Sequence, residues 1–312
     1  MSVQIDTAFV KQFSENVRIL QQQKMTRFRS AVRNESITGE EAFYDQLGSV
    51  AASKRTTRHG DTPLIDTPHS RRRVTTSTYE HADLIDNSDK VALLIDPASD
   101  YVRVFASAFG RATDDEIIVA FDATAATGKD GTGTAAFNST ASTAGGYEIV
   151  AAFSGASEGL TTPKAMEAKR VLDAAENDSA EGYFFAGAAQ QWHDLLTEEI
   201  IGGTNAGMEF APAAQANYGS AGRSGLVTGE INVYAGFQLI RSERLTVAAG
   251  DIRECFAWAK NSMMLATGIE PHARISERAD KSYSTQVFYE QNMGSTRLDE
   301  VGVVRALCDQ SP

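Results

Sequence analysis

Gly155-Ala156-Ser157-Glu158-Gly159 is the stretch of this chain whose spacing comes nearest to a catalytic pattern. A Gly-x-Ser-x-Gly turn between a strand and a helix lifts a serine hydroxyl onto a strained corner, where a histidine held by a carboxylate takes its proton. Tyr147–Phe153 reads as a strand before the motif, Thr162–Ala175 as a helix after it, and His193 and His272 lie downstream. Ser157 is therefore the candidate nucleophile of a serine hydrolase. Against this, no HGGG-like stretch precedes the motif to supply an oxyanion hole. Patterns of small residues also arise readily in a chain with 25 glycines, so a flexible turn explains the same residues.

Other candidates are thinner. Gly128-Lys129 looks like part of a phosphate loop, but Ala123 and Asp130 stand where that loop requires Gly and Ser/Thr. His59, His69, His81, His193 and His272 show no paired metal spacing, and no helix brings His81 to Asp83 or Asp86. Cys255 and Cys308 sit in apolar stretches and read as small buried hydrophobes, not a disulfide framework or a zinc site. No metal, no cofactor and no enzymatic activity are expected. Arg58-His59-Gly60-Asp61 and Arg71-Arg72-Arg73 suit phosphate or carboxylate, which leaves three readings open: a solvated loop, a DNA contact, or a basic loop that pairs with an acidic neighbour.

Those basic residues lie in an unusual element. Residues 37–95 form a long polar excursion with almost no apolar face. Its centre, Ser53–Arg73, includes Lys54, Arg55, Arg58, Arg71, Arg72 and Arg73 against two Asp, a net +4. The chain as a whole is −12, so the remainder carries −16. Structureless loops of this length are rare inside compact domains and usually serve something outside the core. As a hairpin, residues 40–80 would reach on the order of 65 Å at roughly 3.3 Å per residue. A globule of this length is only about 50 Å across. The overhang needs a neighbour to lie on, which points to assembly before chemistry.

Composition bounds the rest. The apolar content of 42% and charged content of 22% are ordinary for a globular protein of one large or two moderate cores. Apolar runs such as Val91–Ile95 and Ile117–Phe121 are five residues long, against the roughly 20 of a spanning helix, so no membrane partner is expected. The early Asp6 and missing apolar h-region give no sign of secretion, and a reducing cytoplasm is expected. Net acidity argues against a body that wraps nucleic acid.

Along the chain, residues 1–36 read as an amphipathic arm of net +3, with Phe9, Phe13, Val17, Leu20, Phe28 and Val32 mostly at helical spacing and Arg18, Arg27 and Arg29 between them. The arm docks either on its own core or on a neighbour, with Phe9, Phe13, Arg18, Arg27 and Arg29 as contact candidates. Asp96 as N-cap and Pro97 at the first helical position open a helix to Asp122 that carries Val102, Phe105, Phe109 and Ala112 on one stripe. Gly110 and Thr113-Asp114-Asp115 are expected to bend or interrupt it. Residues 123–146 read as a loop or surface hairpin tip with little to bury. Tyr183–Ala186 reads as a buried strand and Gln190–Ile201 as a helix, with a Gly/Ala/Asn-rich loop at Ala206–Gly225. Strand alternation dominates from Ile231 onward. The fold class is α+β with segregated elements.

The order of these features resembles the major capsid proteins of tailed bacteriophages, most closely those of short-tailed phages. The residues that carry the resemblance are Gln21–Val32, Phe43–Ser49, Arg58–Pro63, Asp83–Pro97, Gly110–Phe121, Leu226–Leu245 and Asp280–Val304. No one of them is a signature; their order of appearance is what is specific. The resemblance implies the Hong Kong 97-like capsid fold: an N-terminal arm (1–36), an extended loop (37–80), a peripheral domain with the spine helix (81–123), an axial domain (124–251) and returning peripheral strands (252–312). It implies a virion protein that self-assembles as pentamers and hexamers into an icosahedral capsid around double-stranded DNA, built in the bacterial cytoplasm. The implied partners are a portal, a decoration or cement protein, and a scaffolding protein, expected to be separate because this arm begins at Met1. Some relatives join subunits through Lys–Asn bonds; Lys54 and Lys90 are available, but nothing marks an Asn partner, so that chemistry is not expected here.

Overall fold

The computed structural model describes residues 22–58, 64–86, 98–155, 157–177, 182–197, 199–200, 209–210 and 232–310. Its strands are β1 (Arg33–Ser36), β2 (Glu41–Leu47), β3 (His69–Thr75), β4 (Ser77–Ile85), β5 (Ala125–Thr127), β6 (Gly133–Ala135), β7 (Glu148–Ile149), β8 (Tyr183–Gly187), β9 (Glu199–Ile200) and β10 (Glu209–Phe210). They continue with β11 (Val233–Tyr234), β12 (Phe237–Arg241), β13 (Val247–Ala248), β14 (Ile252–Ala259), β15 (Met263–Arg278), β16 (Ser284–Arg297) and β17 (Val303–Asp309). Three α-helices are described: α1 (Ala98–Asp122), α2 (Thr162–Ala174) and α3 (Ala189–Thr197). The chain divides into two compact units, one of residues 1–25, 78–111 and 269–291 and one of 26–77, 112–268 and 292–312.

In the smaller unit β16 lies between β15 and β4. The expected stripe of α1 supplies its core: Phe105 and Phe109 are buried with Ile85, Val287 and Tyr289, and Val102 packs at the margin. The rings of Phe109 and Tyr289 are 4.6 Å apart. Asp96 and Pro97 lie outside the described residues.

In the larger unit a seven-stranded mixed sheet runs in the order β11-β12-β8-β14-β17-β7, with β13 on β14. β8 is buried at all five positions, as an unbroken apolar strand covered on both faces must be. Pro163 sits in the first turn of α2, where a missing N–H costs nothing, and the helix lies against β14 and β17. Its Lys164 is fully buried, and the Nζ donates to the carbonyls of Ala151, Glu158, Gly159 and Leu307 at 2.7–3.0 Å. Cys255 and Cys308 are free thiols, buried on adjacent strands.

Several elements differ from the sequence expectation, each for a physical reason. α1 runs unbroken through Gly110 and Thr113–Asp115. Thr113 and Asp114 are buried polar groups with work to do: the Thr113 hydroxyl faces the Met293 sulfur, and the Asp114 carboxylate accepts the backbone N–H groups of Arg27 and Phe28 at 3.0–3.2 Å. Residues 22–28 are accordingly non-helical, and one 3₁₀ turn, Arg29–Ala31, leads to β1. Helical spacing in the arm yields there to tertiary contact, because Phe28 enters the core between Phe121 and Trp258 at 6.3 and 5.9 Å, while the Trp258 indole donates to Ala31 O at 2.9 Å. Of the two readings of residues 123–146 the hairpin holds, with β5 and β6 paired antiparallel, and tertiary pairing then adds it to the β2–β3 sheet. The strand at 147–153 shrinks to Glu148–Ile149, and the helix at 190–201 ends at Thr197.

Phe28→Ala removes the ring that joins the chain's entry segment to this aromatic cluster. It is expected to lower stability by about 3–5 kcal/mol in urea denaturation, with exposure of residues 26–32 to proteolysis ahead of global unfolding.

Candidate functional site

The excursion is a hairpin, though its paired stem is shorter than the segment. β2 and β3 run antiparallel from Glu41↔Thr75 to Leu47↔His69, and Gly48 N–H reaches Pro68 O at 2.9 Å. Beyond this no strand is described until Pro68, so the ladder spans only about 23 Å at roughly 3.3 Å per residue. The stem has two chemically distinct faces, as strict alternation requires. On one, Ala42, Tyr44 and Val74 pack with Ile37, Met264, Ala266 and Leu298. On the other, Asp45 receives the Arg71 guanidinium in a fork at 2.5 and 3.2 Å, and Arg73 meets Glu41 at 3.2 Å. Arg71 also lies 5.6 Å from the centre of the Phe43 ring. Its guanidinium holds the Asp45 carboxyl below the usual carboxylate range, and Asp45 in turn raises Arg71.

Arg72 points the other way. It is buried, donating to Leu298 O at 3.1 Å and to Glu300 Oε1 at 2.9 Å. Glu300 shares its second oxygen with Arg297 at 2.6 Å. Arg297 is fully buried and donates onward to Phe121 O and Ala123 O at 2.6 and 3.0 Å, and to Ala135 O at 3.3 Å. The ring of Phe137 lies 5.4 Å from the Arg297 guanidinium and 5.3 Å from that of Arg305, which pairs with Glu148, Asp122 and Glu254. One ionic and cation–π network thus ties the root of the hairpin to the end of α1, to β6 and to the central sheet.

The tip presents the opposite character. Lys54, Arg55 and Arg58 are exposed on a stretch from Gly48 to Arg58 that holds no acidic residue. Leu47, Val50, Leu64 and Ile65 are also solvent-facing, Leu64 at 98%. Exposed apolar groups concentrated on one projecting loop mark an interaction surface. His59, Gly60 and Asp61 lie outside the described residues.

The six loop cations therefore fall into two sets. Lys54, Arg55 and Arg58 are available at the tip, whereas Arg71, Arg72 and Arg73 are engaged with Asp45, Glu300 and Glu41 of their own chain. Of the arm candidates, Phe9, Phe13 and Arg18 lie outside the described residues. Arg27 is held through its backbone by Asp114 and through its side chain by Arg241 O, while Arg29 opens the 3₁₀ turn. Ser157 donates to the Asp309 carboxylate at 2.5 Å, so the hydroxyl is joined to an acid and not to a histidine. Gly128 and Gly131 form the β5–β6 turn, which covers Arg73. Among the described residues no group of His, Cys, Asp and Glu is placed to hold a metal. Glu300, Arg297 and Phe137 were not singled out from sequence; for Arg305, the available signal was a lone charge within the otherwise apolar run Val303–Cys308.

The chain's α+β fold is that of phage capsid subunits. It matches the Cyanophage Pam1 capsid with a TM-score of 0.69 at 14% identity over 97% of each chain, and the capsid of Cyanophage P-SCSP1u with 0.69 at 15% identity over 98% of this chain and 95% of that one. The capsid of Helicobacter pylori bacteriophage KHP30 matches with 0.70 at 10% identity, over 100% and 98%. No curated protein matches in sequence. The family model described as phage capsid protein matches residues 5–310, and the chain belongs to that family. Its role is structural, as a component of the virion.

Glu300→Ala leaves the Arg72 and Arg297 guanidiniums without their carboxylate. It is expected to cost about 3 kcal/mol in urea denaturation, with Glu300→Gln intermediate. The Asp45–Arg71 pair gives a pH-dependent effect. Because Arg71 depresses the Asp45 pKa, the pair's contribution is whole above about 3.9 and is lost as pH falls through the lowered value. The difference in urea midpoint between the wild type and Asp45→Asn is therefore expected at pH 7 and expected to shrink as the pH falls below about 3.9.

Proposed function

We propose that this chain is a Hong Kong 97-like major capsid subunit that assembles as pentamers and hexamers into an icosahedral shell around packaged double-stranded DNA. The observation that carries this reading is the hairpin. It is rooted by a buried ionic network in a body matched end to end by phage capsid subunits, and its tip offers cations and apolar side chains to a neighbour. In this arrangement residues 1–36 are the arm, 37–80 the extended loop over the adjacent subunit, 81–123 and 252–312 the peripheral domain, and 124–251 the axial domain. The smaller compact unit draws its strands and helix from both proposed peripheral segments.

A closed shell requires one chain to make several related contacts with the same residues. A stiff root with a conformable tip supplies them, since the stem fixes direction while the tip adapts. The net charge outside Ser53–Arg73 keeps the body from binding DNA tightly, which suits a container. Among the described residues no helix is long and apolar enough to cross a membrane. We further assign a scaffolding protein, a portal and an outer decoration protein as partners, with assembly in the host cytoplasm.

Recombinant protein, sized by light scattering and negative-stain microscopy at low and high salt with and without a scaffold, is expected to give shells tens of nanometres across or the hexamers and pentamers that feed them. A monomer or dimer under every condition overturns the reading. Ser157→Ala is expected to leave both assembly and hydrolysis of an activated ester at their wild-type levels.

A further inference from the structure

We propose that the cleft between the hairpin stem and the end of α2 is the seat for the basic loop tip of a second copy of this chain. This deepens the capsid reading and rests on it. The cleft, about 620 Å³, is lined by Tyr44, Asp45, Glu176, Asn261, Asp299 and Val301 among others. That volume is in the range that encloses ligands of side-chain size and larger. Its charges are unbalanced. Asp45 is neutralised by Arg71, and the lining cation Arg33 is taken by Glu35. Glu176 and Asp299 remain without a cation among the described residues, although Asp299 accepts the Val301 N–H at 3.3 Å, so the cleft presents two carboxylates with no counter-charge.

Glu176 is the telling residue. It follows the last turn of α2 with φ +55°, the left-handed position that glycine fills at no steric cost. A β-carbon there costs about 1–2 kcal/mol, and the residue is an anion at the negative end of a helix, where cations are favoured. Backbone and helix dipole both disfavour glutamate at this position. A cation that comes to the cleft offsets the electrostatic part of that cost.

The tip has the complementary chemistry, with Lys54, Arg55 and Arg58 and no acid between Gly48 and Arg58. Among the described residues none of the three cations pairs with a cleft carboxylate of its own chain: Arg55 turns back to Thr57 O, and all three are exposed. The occupant assigned to the seat is accordingly the tip of a second copy. Opposed charge at such a contact sets register and association rate, and it makes assembly salt-sensitive.

The full chain tests this directly. Glu176→Gly is expected to raise the melting temperature of the unassembled subunit by about 2 °C or more while lowering shell yield at least tenfold at 0.15 M salt. Gly at 176 with unchanged shell yield overturns the proposal, whatever the melting temperature does. Glu176→Lys with Asp299→Lys is expected to block assembly, as is Lys54→Glu with Arg55→Glu and Arg58→Glu. Combining both sets restores it; failure to restore shells from chains that still fold overturns the pairing. Finally, Arg55→Cys with Glu176→Cys, treated with a short bismaleimide, is expected to give dimers and higher ladders, because native Cys255 and Cys308 are buried. An internal crosslink within the monomer overturns the trans assignment. Wild-type protein that forms no shell under any condition sinks the capsid reading instead, and is told apart by that control.

Discussion

Arg297 carries a full positive charge with none of its side chain exposed, and the larger unit is arranged around keeping that charge satisfied. Desolvating a guanidinium costs several kcal/mol, and the interior recovers this only when every donor finds an acceptor in good geometry. Here the acceptors are the carbonyls of Phe121, Ala123 and Ala135 and one oxygen of Glu300. Three of the four are main-chain groups, so the requirement fixes backbone, not merely side chains. The end of α1, the chain leaving it and β6 must converge on one point. Because Glu300 divides its oxygens between Arg297 and Arg72, the same requirement fixes where β3 leaves the body. An apolar core of equal volume would give comparable stability without that directional control. In the proposed assembly, where the loop meets a neighbour at a set angle, that direction has a use.

The entry of the arm follows a similar logic with a buried anion. Asp114 is inaccessible and accepts two consecutive backbone N–H groups, so the charge is solvated by main chain. The neighbouring Asp115 pairs with Arg244. Helix α1 thus receives the incoming segment at mid-length and releases the outgoing one at its C-terminus, and both attachments are polar groups held inside apolar packing. Phe28, Phe121, Phe256 and Trp258 fill the space between them. Ionic groups set position and the aromatic cluster supplies burial, a division expected when area gives the energy and hydrogen bonds give the specificity.

What was legible in the sequence was whatever depended on local pattern. The stripe Val102, Phe105, Phe109 announced α1, Thr162-Pro163 announced α2, and alternation after Ile231 announced β12, β14, β15, β16 and β17. The polar, basic excursion ahead of α1 announced a hairpin, whose stem is β2–β3, but not the apolar face of Ala42, Tyr44 and Val74 that packs it on the body. The misreadings share one cause, which is long-range contact overriding local preference. Residues 123–146 read as loop or surface hairpin because glycine and alanine carry little apolar signal; what stayed hidden is the Arg72↔Thr127 and Arg73↔Ala126 pairing that joins the β5–β6 hairpin to β3. Arg71-Arg72-Arg73 looks like one basic patch because sequence adjacency hides the alternation of a strand. The pleat sends Arg72 inward to Glu300 and leaves its neighbours on the acid-studded outer face. Glu300 could not be singled out at all, since its importance comes from partners 228 residues and three residues away.

That division of the arginines also explains how one loop can be firm and compliant at once. The exposed pairs on the stem are solvent-screened and weak, too weak to hold the hairpin against thermal motion or to commit it irreversibly to any neighbour. Rigidity therefore has to come from the inward face, where Arg72 and the packing of Tyr44 and Val74 are shielded from solvent and salt. Past Gly48 and Pro68 that shielding ends, and the chain carries cations and exposed aliphatic groups without a core of its own. Weak, screened contacts at such a tip can break and re-form while subunits find their places. Their number in a closed assembly then supplies, through multivalency, the permanence that no single contact has. Strong contacts at the tip would trap the first wrong neighbour, and weak ones at the root would leave the tip nowhere definite to reach.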